Sequence, residues 1–359
     1  MIDLKSLLTQ TVDAGASDLH LTVDVPPMIR VDGRLMPATK TPLTRAETRV
    51  AIYSLLNDEQ RAKFERDWEL DFSVQLETIG RFRVNVHKEK GNVEAAFRAI
   101  PTKILTIEEL GLPPVVSTFA RRPSGLVLVT GPTGMGKTTT LAAILDLISR
   151  ERNCLIITIE DPIEYVLQHH KGVVKQREIA ADTHSFPIAL RHSLRQDPDV
   201  ICIGEMRDLE TISTALTAAE TGHLVLATLH TPDAAQTIDR IIDVFPPYQQ
   251  DQVRIQLAGC LQAIVAQQLI PKVGGGRVVS VEILAATPAV RNVIRTQKTE
   301  QIATLLQTSG EFGMQAMDKS LQTLYERGLI TYDEAVSRAA DPRGFVKVLS
   351  EGTQKTPQR

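Results

Sequence analysis

The chain has 359 residues, of which 43% are hydrophobic and 23% are charged. That length suits about two ordinary domains, and that composition is typical of a folded globular protein, which excludes an intrinsically disordered chain. The 40 basic and 43 acidic residues give a formal net charge of -3. This balance excludes a generally basic surface that would attract nucleic acid or anionic lipid, and leaves only a local patch for such contacts.

The cysteines and the apolar runs bear on the cellular compartment. Cys154, Cys202 and Cys260 lie far apart in apolar runs. Because no pair has metal-ligand spacing and the count is odd, we interpret them as small buried side chains in a reducing compartment. Residues 1–18 include polar side chains throughout, and no run approaches the roughly 20 apolar residues of a membrane span. We therefore expect a cytoplasmic protein without a direct membrane span.

Residues 1–100 contain short strand patterns and a helical stretch, which predicts a small N-terminal α+β domain. Asp32-Gly33 signals one hairpin turn, and Gly91-Asn92 signals another. The intervening helical periodicity extends over residues 44–67. Four residues form most of the apolar face predicted for this stretch: Val50, Tyr53, Leu55 and Leu56.

The rest of the chain divides by composition. Residues 101–123, with several prolines and a short helical piece, are the best candidate for a linker. Residues 124–285 alternate buried apolar strands with helical stretches, which indicates a parallel sheet covered on both faces. Residues 286–350 are helical in pattern, and the polar residues 351–359 are predicted to form a flexible tail.

Residues 131–138, "GPTGMGKT", match the phosphate-loop pattern G-x-x-x-x-G-K-[ST] in full. A strand pattern precedes them and a helical pattern follows, so backbone N–H groups would bind phosphates at the helix N-terminus. A glycine turn that merely opens a helix is the disfavoured alternative. Lys137 would place its charge at the β- and γ-phosphates, and Thr138 would bind Mg²⁺. The predicted contacts to ATP or GTP are Gly131, Pro132, Thr133, Gly134, Met135, Gly136, Lys137, Thr138 and Thr139.

Phosphoryl transfer to water needs a metal ligand and a group that orients the water, and a parallel sheet would place them at the carboxyl ends of its strands. Three carboxylates follow the run "CLIITI": Glu160, Asp161 and Glu164. The alternative is that the chain simply reaches the surface there. Glu205 follows "VICIG", with Gly204 in the usual Walker B aspartate position, so Glu205 would hold Mg²⁺ through water. Arg207 and Asp208 are interpreted as a surface pair.

His230 ends the apolar run "HLVLATLH". A neutral imidazole at this strand end would sense the γ-phosphate of a bound nucleotide. A hydrogen-bonded structural histidine is the alternative interpretation.

With these segments in order, the chain resembles the secretion-superfamily ATPases and, within them, the pilus retraction (twitching motility) ATPases. "GPTGMGKTT" is similar to their Walker A motif and "TIEDPIEY" to their aspartate box. "RQDPDVICIGEMRDLETISTALTAAETGHLVLATLHT" resembles their Walker B and histidine boxes. "TPAVRNVIR" resembles the C-terminal signature of the retraction subfamily, and "GRFRVNV…FRAIP" its N-terminal arginine hairpin. The departures are Met135, where serine is usual, and Val290, Val293 and Thr296 in the signature.

The resemblance implies a homohexameric ring of two-domain subunits, with a PAS-like N-terminal domain and a RecA-like motor domain that uses ATP and Mg²⁺. It implies that Glu164 is the catalytic base, that Glu205 acts on Mg²⁺ through water with Glu160 as a further metal candidate, and that His230 reports the γ-phosphate. It also assigns to the nucleotide pocket three arginines of the N-terminal domain: Arg81, Arg83 and Arg98. A surface needed for retraction but not for hydrolysis would consist of Arg291, Asn292 and Arg295; the alternative is an ordinary docked helix with a solvated basic face.

The leading functional hypothesis is a motor that disassembles and retracts a type IV pilus, acting on an inner-membrane platform protein and indirectly on pilin. Such a motor would lie at the inner face of the cytoplasmic membrane. A pilus assembly or type II secretion ATPase is the near alternative, although this chain lacks the four-cysteine metal insertion that those proteins commonly carry. A RecA-like nucleic-acid motor is more remote, because net charge -3 and 4% aromatic residues supply neither a phosphate-binding surface nor stacking platforms. A nucleotide-sensing scaffold without turnover is disfavoured by the full set of catalytic candidates.

Overall fold

The structure is a computed structural model, which describes residues 3–31, 33–101, 103–342 and 345. The chain forms two compact units, one of residues 1–103 with 164–166 and the other of residues 104–163 and 167–359. Each unit combines helices with a β-sheet, which confirms the predicted α/β class. The three cysteines are buried and free, as interpreted from their apolar surroundings.

The first unit contains a six-stranded antiparallel sheet in the order β3-β2-β1-β6-β5-β4. Its elements in chain order are α1 (Leu4–Asp13), β1 (Asp18–Leu21), β2 (Met28–Val31), β3 (Arg34–Pro37), α2 (Arg45–Tyr53), α3 (Asp58–Asp67), β4 (Glu69–Leu76), β5 (Gly80–Glu89) and β6 (Asn92–Ile100). Alternate residues of the strands, such as Phe82 and Phe97, are fully buried against the three helices. Their sequence neighbours therefore lie on the opposite, polar face of the sheet.

Two local predictions in this unit need correction. The β5–β6 turn consists of Lys90 and Gly91, with φ of 50° and 79°, whereas Asn92 already pairs with Glu89. Two consecutive left-handed residues give the backbone twist that a two-residue hairpin loop requires. At the other predicted turn, Gly33 has a φ of 80°, and Asp32 lies outside the described residues.

The helical pattern over residues 44–67 forms two helices, because a second N-cap interrupts it. Thr44 caps α2 in a capping box with Glu47, and Asn57 caps α3 in the same way. Val50, predicted on the apolar face, is 58% exposed. The buried residues of α2 are instead Thr48, Ala51 and Ile52.

The second unit contains a seven-stranded sheet in the order β13-β12-β7-β11-β10-β8-β9. Its elements are α4 (Val115–Ala120), β7 (Gly125–Thr130), α5 (Lys137–Glu151), β8 (Leu155–Glu160), β9 (Val173–Glu178), α6 (Phe186–Ser193), β10 (Val200–Ile203), α7 (Leu209–Glu220), β11 (Leu224–Leu229), α8 (Ala234–Asp243), α9 (Pro247–Cys260), β12 (Leu261–Pro271), β13 (Arg277–Ala285), α10 (Pro288–Arg295), α11 (Ile302–Thr308), α12 (Met317–Glu326) and α13 (Tyr332–Arg338). All neighbouring strands are parallel except β12 and β13. The long pair β12–β13 did not stand out in the sequence.

Helices cover both faces of this sheet, as the apolar strand patterns predicted. One core lies between the strands and α6 to α10, and the other lies between the strands and α4 and α5. Residues 101–123, predicted as a linker, contain α4, and Val116 and Phe119 of this helix are buried in the second core. Thr102 lies outside the described residues. From residue 104 onward, this segment therefore belongs to the second unit.

The parallel topology fixes where polar side chains converge. Because β7, β8, β10 and β11 run in the same direction, the residues that follow them share one edge of the sheet. Among the helices that the structure describes, none combines the length and apolar composition that crossing a bilayer requires. The predicted tail 351–359 lies outside the described residues.

Candidate nucleotide-binding site

The glycine-rich loop joins the buried strand β7 to helix α5, as predicted. Gly131, Gly134 and Gly136 have φ of 139°, 80° and 80°, which L-residues with side chains rarely adopt. A Cβ at Gly131 would overlap the backbone oxygen of Gln267. Gly136 is the N-cap residue of α5 and has no side-chain cap. The loop therefore presents bare backbone at a helix N-terminus, which is the arrangement that binds phosphate.

Lys137 is buried, with 8% of its surface exposed. Its Nζ atom donates to the carbonyl oxygens of Gly131, at 2.8 Å, and Pro132, at 3.1 Å. The same Nζ lies 3.3 Å from Nδ1 of His230. A buried ammonium group is thus held by the loop and by the end of β11.

His230 connects the loop to the end of β10. Its Nε2 lies 3.1 Å from Oε1 of Glu205, and Thr133 Oγ1 lies 3.3 Å from its Nδ1. An ammonium group only donates, so Nδ1 accepts from Lys137 and the ring proton lies on Nε2, which donates to Glu205. The contacts therefore fit the neutral imidazole that the sequence hypothesis invoked for His230.

Arg207 holds Glu205 from the other side. Its Nε lies 2.7 Å from Oε1, and its second terminal nitrogen lies 2.7 Å from Oε2, a bidentate pair. Burial raises the pKa of Glu205, but the hydrogen bonds from Arg207 and His230 outweigh it, so the pKa lies below the ordinary value. The interpretation of Arg207 and Asp208 as a surface pair was wrong, because Asp208 instead caps α7 by accepting from Thr211 N at 2.8 Å.

Glu160 ends β8, next to β10 in the sheet. Its Oε1 accepts from Thr158 Oγ1 at 2.5 Å and from Gln176 Nε2 at 3.0 Å. A Cβ at Gly204 would lie 3.2 Å from the oxygen of Ile159 and 3.4 Å from Cα of Glu160. This close approach favours glycine directly after β10, and Glu205 is then the first carboxylate after the strand.

The oxygen groups beside the loop suit a magnesium ion. Thr138 is half-buried in the first turn of α5, Glu160 ends β8, and Glu205 comes shortly after the adjacent strand β10. Hydroxyl and carboxylate oxygens are the ligands that Mg²⁺ takes, usually together with waters and phosphate oxygens. Within the described residues, no three His, Cys, Asp or Glu side chains form a metal cage of their own. The donor set therefore fits Mg²⁺ bound together with a nucleotide.

Glu164, the predicted catalytic base, is exposed in the loop after β8. Residues 164–166 are grouped with the first unit rather than with the unit that carries the phosphate loop. The role of Glu164 as a base therefore remains a prediction.

The arginines of the first unit lie on the polar face of its sheet. Arg83 and Arg98 are directly opposite each other on β5 and β6, and Asp18 on β1 is opposite Arg98. Asp18 accepts from Arg98 Nε at 3.0 Å, and Arg83 is exposed. Arg81 on β5 is half-buried. Adjacent cations on one face suit an anionic ligand.

Helix α10 holds the segment that resembles the retraction signature. Val290, Val293 and Ile294 are buried, and Asn292 and Arg295 are exposed. The half-buried Arg291, predicted on the outer surface, donates to four backbone oxygens: those of Ala258, Gly259, Leu261 and Ala286. Three of these oxygens lie at the junction of α9 and β12, so Arg291 caps the C-terminus of α9.

A glycine-rich loop between a buried parallel strand and a helix, with carboxylates and a histidine at adjacent strand ends, defines a P-loop nucleotide-binding protein with a RecA-like core. Sequence comparison makes this more specific. The chain belongs to the type II/IV secretion system protein family, whose sequence pattern matches residues 1–336.

Individual relatives cover nearly the whole chain. The type IV pilus retractation ATPase PilT of Pseudomonas aeruginosa is 50% identical over 96% of this chain and 100% of its own length. A twitching motility protein of Neisseria gonorrhoeae is 49% identical over 87% of this chain and 84% of its own length. A crystal structure of the pilus retraction motor PilT with bound ADP has a TM-score of 0.91 and 47% identity, over 97% of this chain and 100% of that one. The DotB ATPase of Legionella pneumophila has a TM-score of 0.77 and 27% identity, over 97% of this chain and 95% of its own.

Proposed function

We propose that this protein is an ATP hydrolase that drives disassembly and retraction of a type IV pilus. The observation that carries this proposal is the Lys137–His230–Glu205 network beside the phosphate loop, in a chain similar over its whole length to a pilus retraction ATPase. The loop binds the phosphates, and the network ties their position to the ends of β10 and β11.

The polar side chains in the loop and at the strand ends have separate roles in ATP hydrolysis. Mg²⁺, when bound with the nucleotide, neutralises charge on the phosphate oxygens. Thr138 and Glu205, the latter through water, would hold the ion, and Glu160 is a further candidate oxygen donor. Glu164 accepts a proton from the attacking water. His230 has its neutral ring between Lys137 and Glu205, and so is placed to respond when phosphate draws Lys137 away from the loop carbonyls.

ATP turnover by the purified full-length chain tests the hydrolase assignment. Glu164→Ala should abolish turnover while ADP affinity and the circular dichroism spectrum stay unchanged. Glu311→Ala, which removes another exposed glutamate of the chain, is the matched control. Wild-type protein that binds ATP without cleaving it contradicts the hydrolase, and undiminished turnover in Glu164→Ala removes only this residue from the role of base.

The direction of pilus movement is tested in cells. Deleting the gene should leave cells with excess unretracted pili and no twitching motility. Loss of pili would instead assign the protein to assembly, and intact pili with a secretion defect would assign it to type II secretion. Restored motility after re-expression of the wild-type chain is the control.

The assembled state forms part of the proposal. We infer a cytoplasmic homohexamer, bound at the inner face of the membrane through a platform protein, with Asn292 and Arg295 of α10 on the partner surface. Native mass spectrometry with ATP should give six times the 39.5 kDa chain mass. Persistent monomers at micromolar concentration would contradict the ring.

A further inference from the structure

Strand β12 runs past the end of β7 and continues beside the phosphate loop. The pairing of the two strands ends at Ala266 and Thr130, one residue before Gly131. Gln267 and Leu269, which follow on β12, therefore lie next to the loop rather than next to a strand. Gln267 is 1% exposed, so its side chain is enclosed by the protein.

Two bonds fasten the loop to this extension of β12. Gln267 Nε2 donates to the carbonyl oxygen of Met135 at 2.5 Å. The backbone N–H of Leu269 donates to Met135 Sδ at 3.2 Å. The backbone oxygen of Gln267 also lies against Gly131, where a Cβ would overlap it. The loop is thus held at both its first and its fifth residue by one strand.

The bond from Gln267 orients a peptide plane. In a trans peptide, the carbonyl oxygen and the following N–H point in opposite directions. With the Met135 oxygen drawn toward β12, the N–H of Gly136 points away from β12. Among the described residues, no backbone hydrogen bond uses this N–H. It is therefore available to an anion at the N-terminus of α5.

We propose that Gln267 is a positioning residue for the nucleotide, which aims the Gly136 N–H at the phosphates by holding the Met135 carbonyl. This inference rests on the proposed nucleotide-binding function. Because a carbonyl oxygen only accepts, the NH₂ group of Gln267 must face Met135, which fixes the orientation of the amide. Its Oε1 is buried without a partner within the described residues. A buried oxygen without a hydrogen bond lowers the stability of the fold. Such an oxygen is expected where the side chain serves to position another group rather than to stabilise the protein.

The same strand offers a matched control. Gln262 also donates its Nε2 to a backbone oxygen, that of Ser124 at 3.1 Å, at the opposite end of β7. Gln262→Met and Gln267→Met each remove one such bond and keep a side chain of similar length. A purely structural role predicts the same behaviour from both variants.

The test measures ADP affinity, KM for ATP, kcat and Tm for the full-length chain and both variants. Gln267→Met should raise the Kd for ADP and the KM for ATP about tenfold, equivalent to about 1.4 kcal/mol, with little change in kcat. Gln262→Met should leave both constants unchanged. Equal ADP affinity in Gln267→Met and wild type overturns the inference, whereas a wild-type chain that binds no ADP overturns the proposed function itself.

A measurement on the wild type keeps the inference testable if Gln267→Met does not fold. In protein labelled with ¹⁵N-glycine, ADP should shift the amide resonance of Gly136 strongly and that of Gly222 little. Gly222 lies just after α7, before the start of β11. An unmoved Gly136 resonance in ADP-saturated protein overturns the inference.

Discussion

Nε2 of His230 lies 3.1 Å from Oε1 of Glu205, while Nδ1 of the same ring lies 3.3 Å from the ammonium of Lys137. One neutral imidazole thus bridges the phosphate loop and the carboxylate that follows β10. A change in the position of Lys137 on phosphate binding would therefore reach Glu205 through the imidazole of His230.

Removing the imidazole of His230 should slow ATP hydrolysis without weakening nucleotide binding. We expect His230→Ala to lower kcat for ATP by about 100- to 1000-fold, since one positioned polar group contributes on this scale. ADP affinity should change little, because the backbone of the loop is intact. His223→Ala is the control, since His223 precedes the same strand and its Nδ1 lies 3.0 Å from the Ala218 oxygen. A wild-type kcat in His230→Ala would contradict a role in hydrolysis for the contacts that His230 makes with Lys137 and Glu205.

Arg291 should contribute to stability, and Arg295 should not. Arg291→Ala leaves carbonyl oxygens at the end of α9 without their donor, so the free energy of unfolding should fall by about 1–3 kcal/mol. The exposed Arg295→Ala should change it by less than about 0.5 kcal/mol. Urea denaturation of both variants measures the difference, and equal midpoints would contradict the capping role. If Arg295 contacts a partner, its variant should lose motility with ATP turnover retained.

Glu282 on β13 should make stability depend on pH. Burial raises its pKa to about 7, although the N–H of Ala234, at 2.8 Å, favours the charged form. The native state therefore keeps a proton that the unfolded state releases near the ordinary pKa of about 4.3. Stability should accordingly fall as the pH rises from about 4.5 to 7, by on the order of 3 kcal/mol, and level off above.

The variant Glu282→Gln isolates this contribution. The difference in unfolding free energy between Glu282→Gln and wild type should grow across this pH interval, because only the wild type loses stability through this carboxyl. Glu311→Gln, at an exposed position, should parallel the wild type. A pH-independent difference between Glu282→Gln and wild type would show that the carboxyl does not titrate there.

Asp18 should act through Arg98. Burial raises the pKa of Asp18, but hydrogen bonds from Ser17 and Arg98 lower it below the ordinary value overall. If Arg98 takes part in turnover, Asp18→Asn and Arg98→Ala should each lower kcat severalfold, and the double variant should be no worse than Arg98→Ala. Asp71→Asn, on the same sheet and bonded to Asn85 at 3.2 Å, is the control. Additive losses would show that the two residues act separately.

Arg83 and Arg98 are both exposed and lie directly opposite each other in the sheet, and Arg98 is held by its ion pair with Asp18. We expect Arg83→Ala to abolish ATP turnover without lowering Tm. Arg34→Ala, on the exposed edge strand β3, should retain wild-type turnover. Retained turnover in Arg83→Ala would remove it from the nucleotide pocket.

Local sequence patterns predicted the secondary-structure elements that form the site. The glycine spacing, the buried strand before it and the helix after it are contiguous, so the loop from Gly131 to Thr138 was predictable residue by residue. Helix-cap chemistry was also local, yet the signal at Asn57 was missed and one helix was predicted where α2 and α3 form. Hydrophobic periodicity reports which face is buried, and it does not mark every break.

These local patterns could not predict contacts between residues that are far apart in the sequence. Gln267 and Met135 are 132 positions apart, and Gln267 lies in a strand whose mixed composition gave no clear signal. Arg291 looked like a solvated position on an amphipathic helix, because periodicity cannot show that the end of another helix lies within reach.

The sequence by itself determined the nucleotide loop, the parallel sheet covered by helices on both faces and the set of polar groups at the strand ends, because spacing and burial are encoded over short stretches. Only the tertiary structure decided the partners of those groups: His230 with Glu205, Arg207 with Glu205, Gln267 with Met135 and Arg291 with the end of α9. The physical reason is that a hydrogen bond depends on distance and direction in space, which arise only after the strands have taken their order in the sheet.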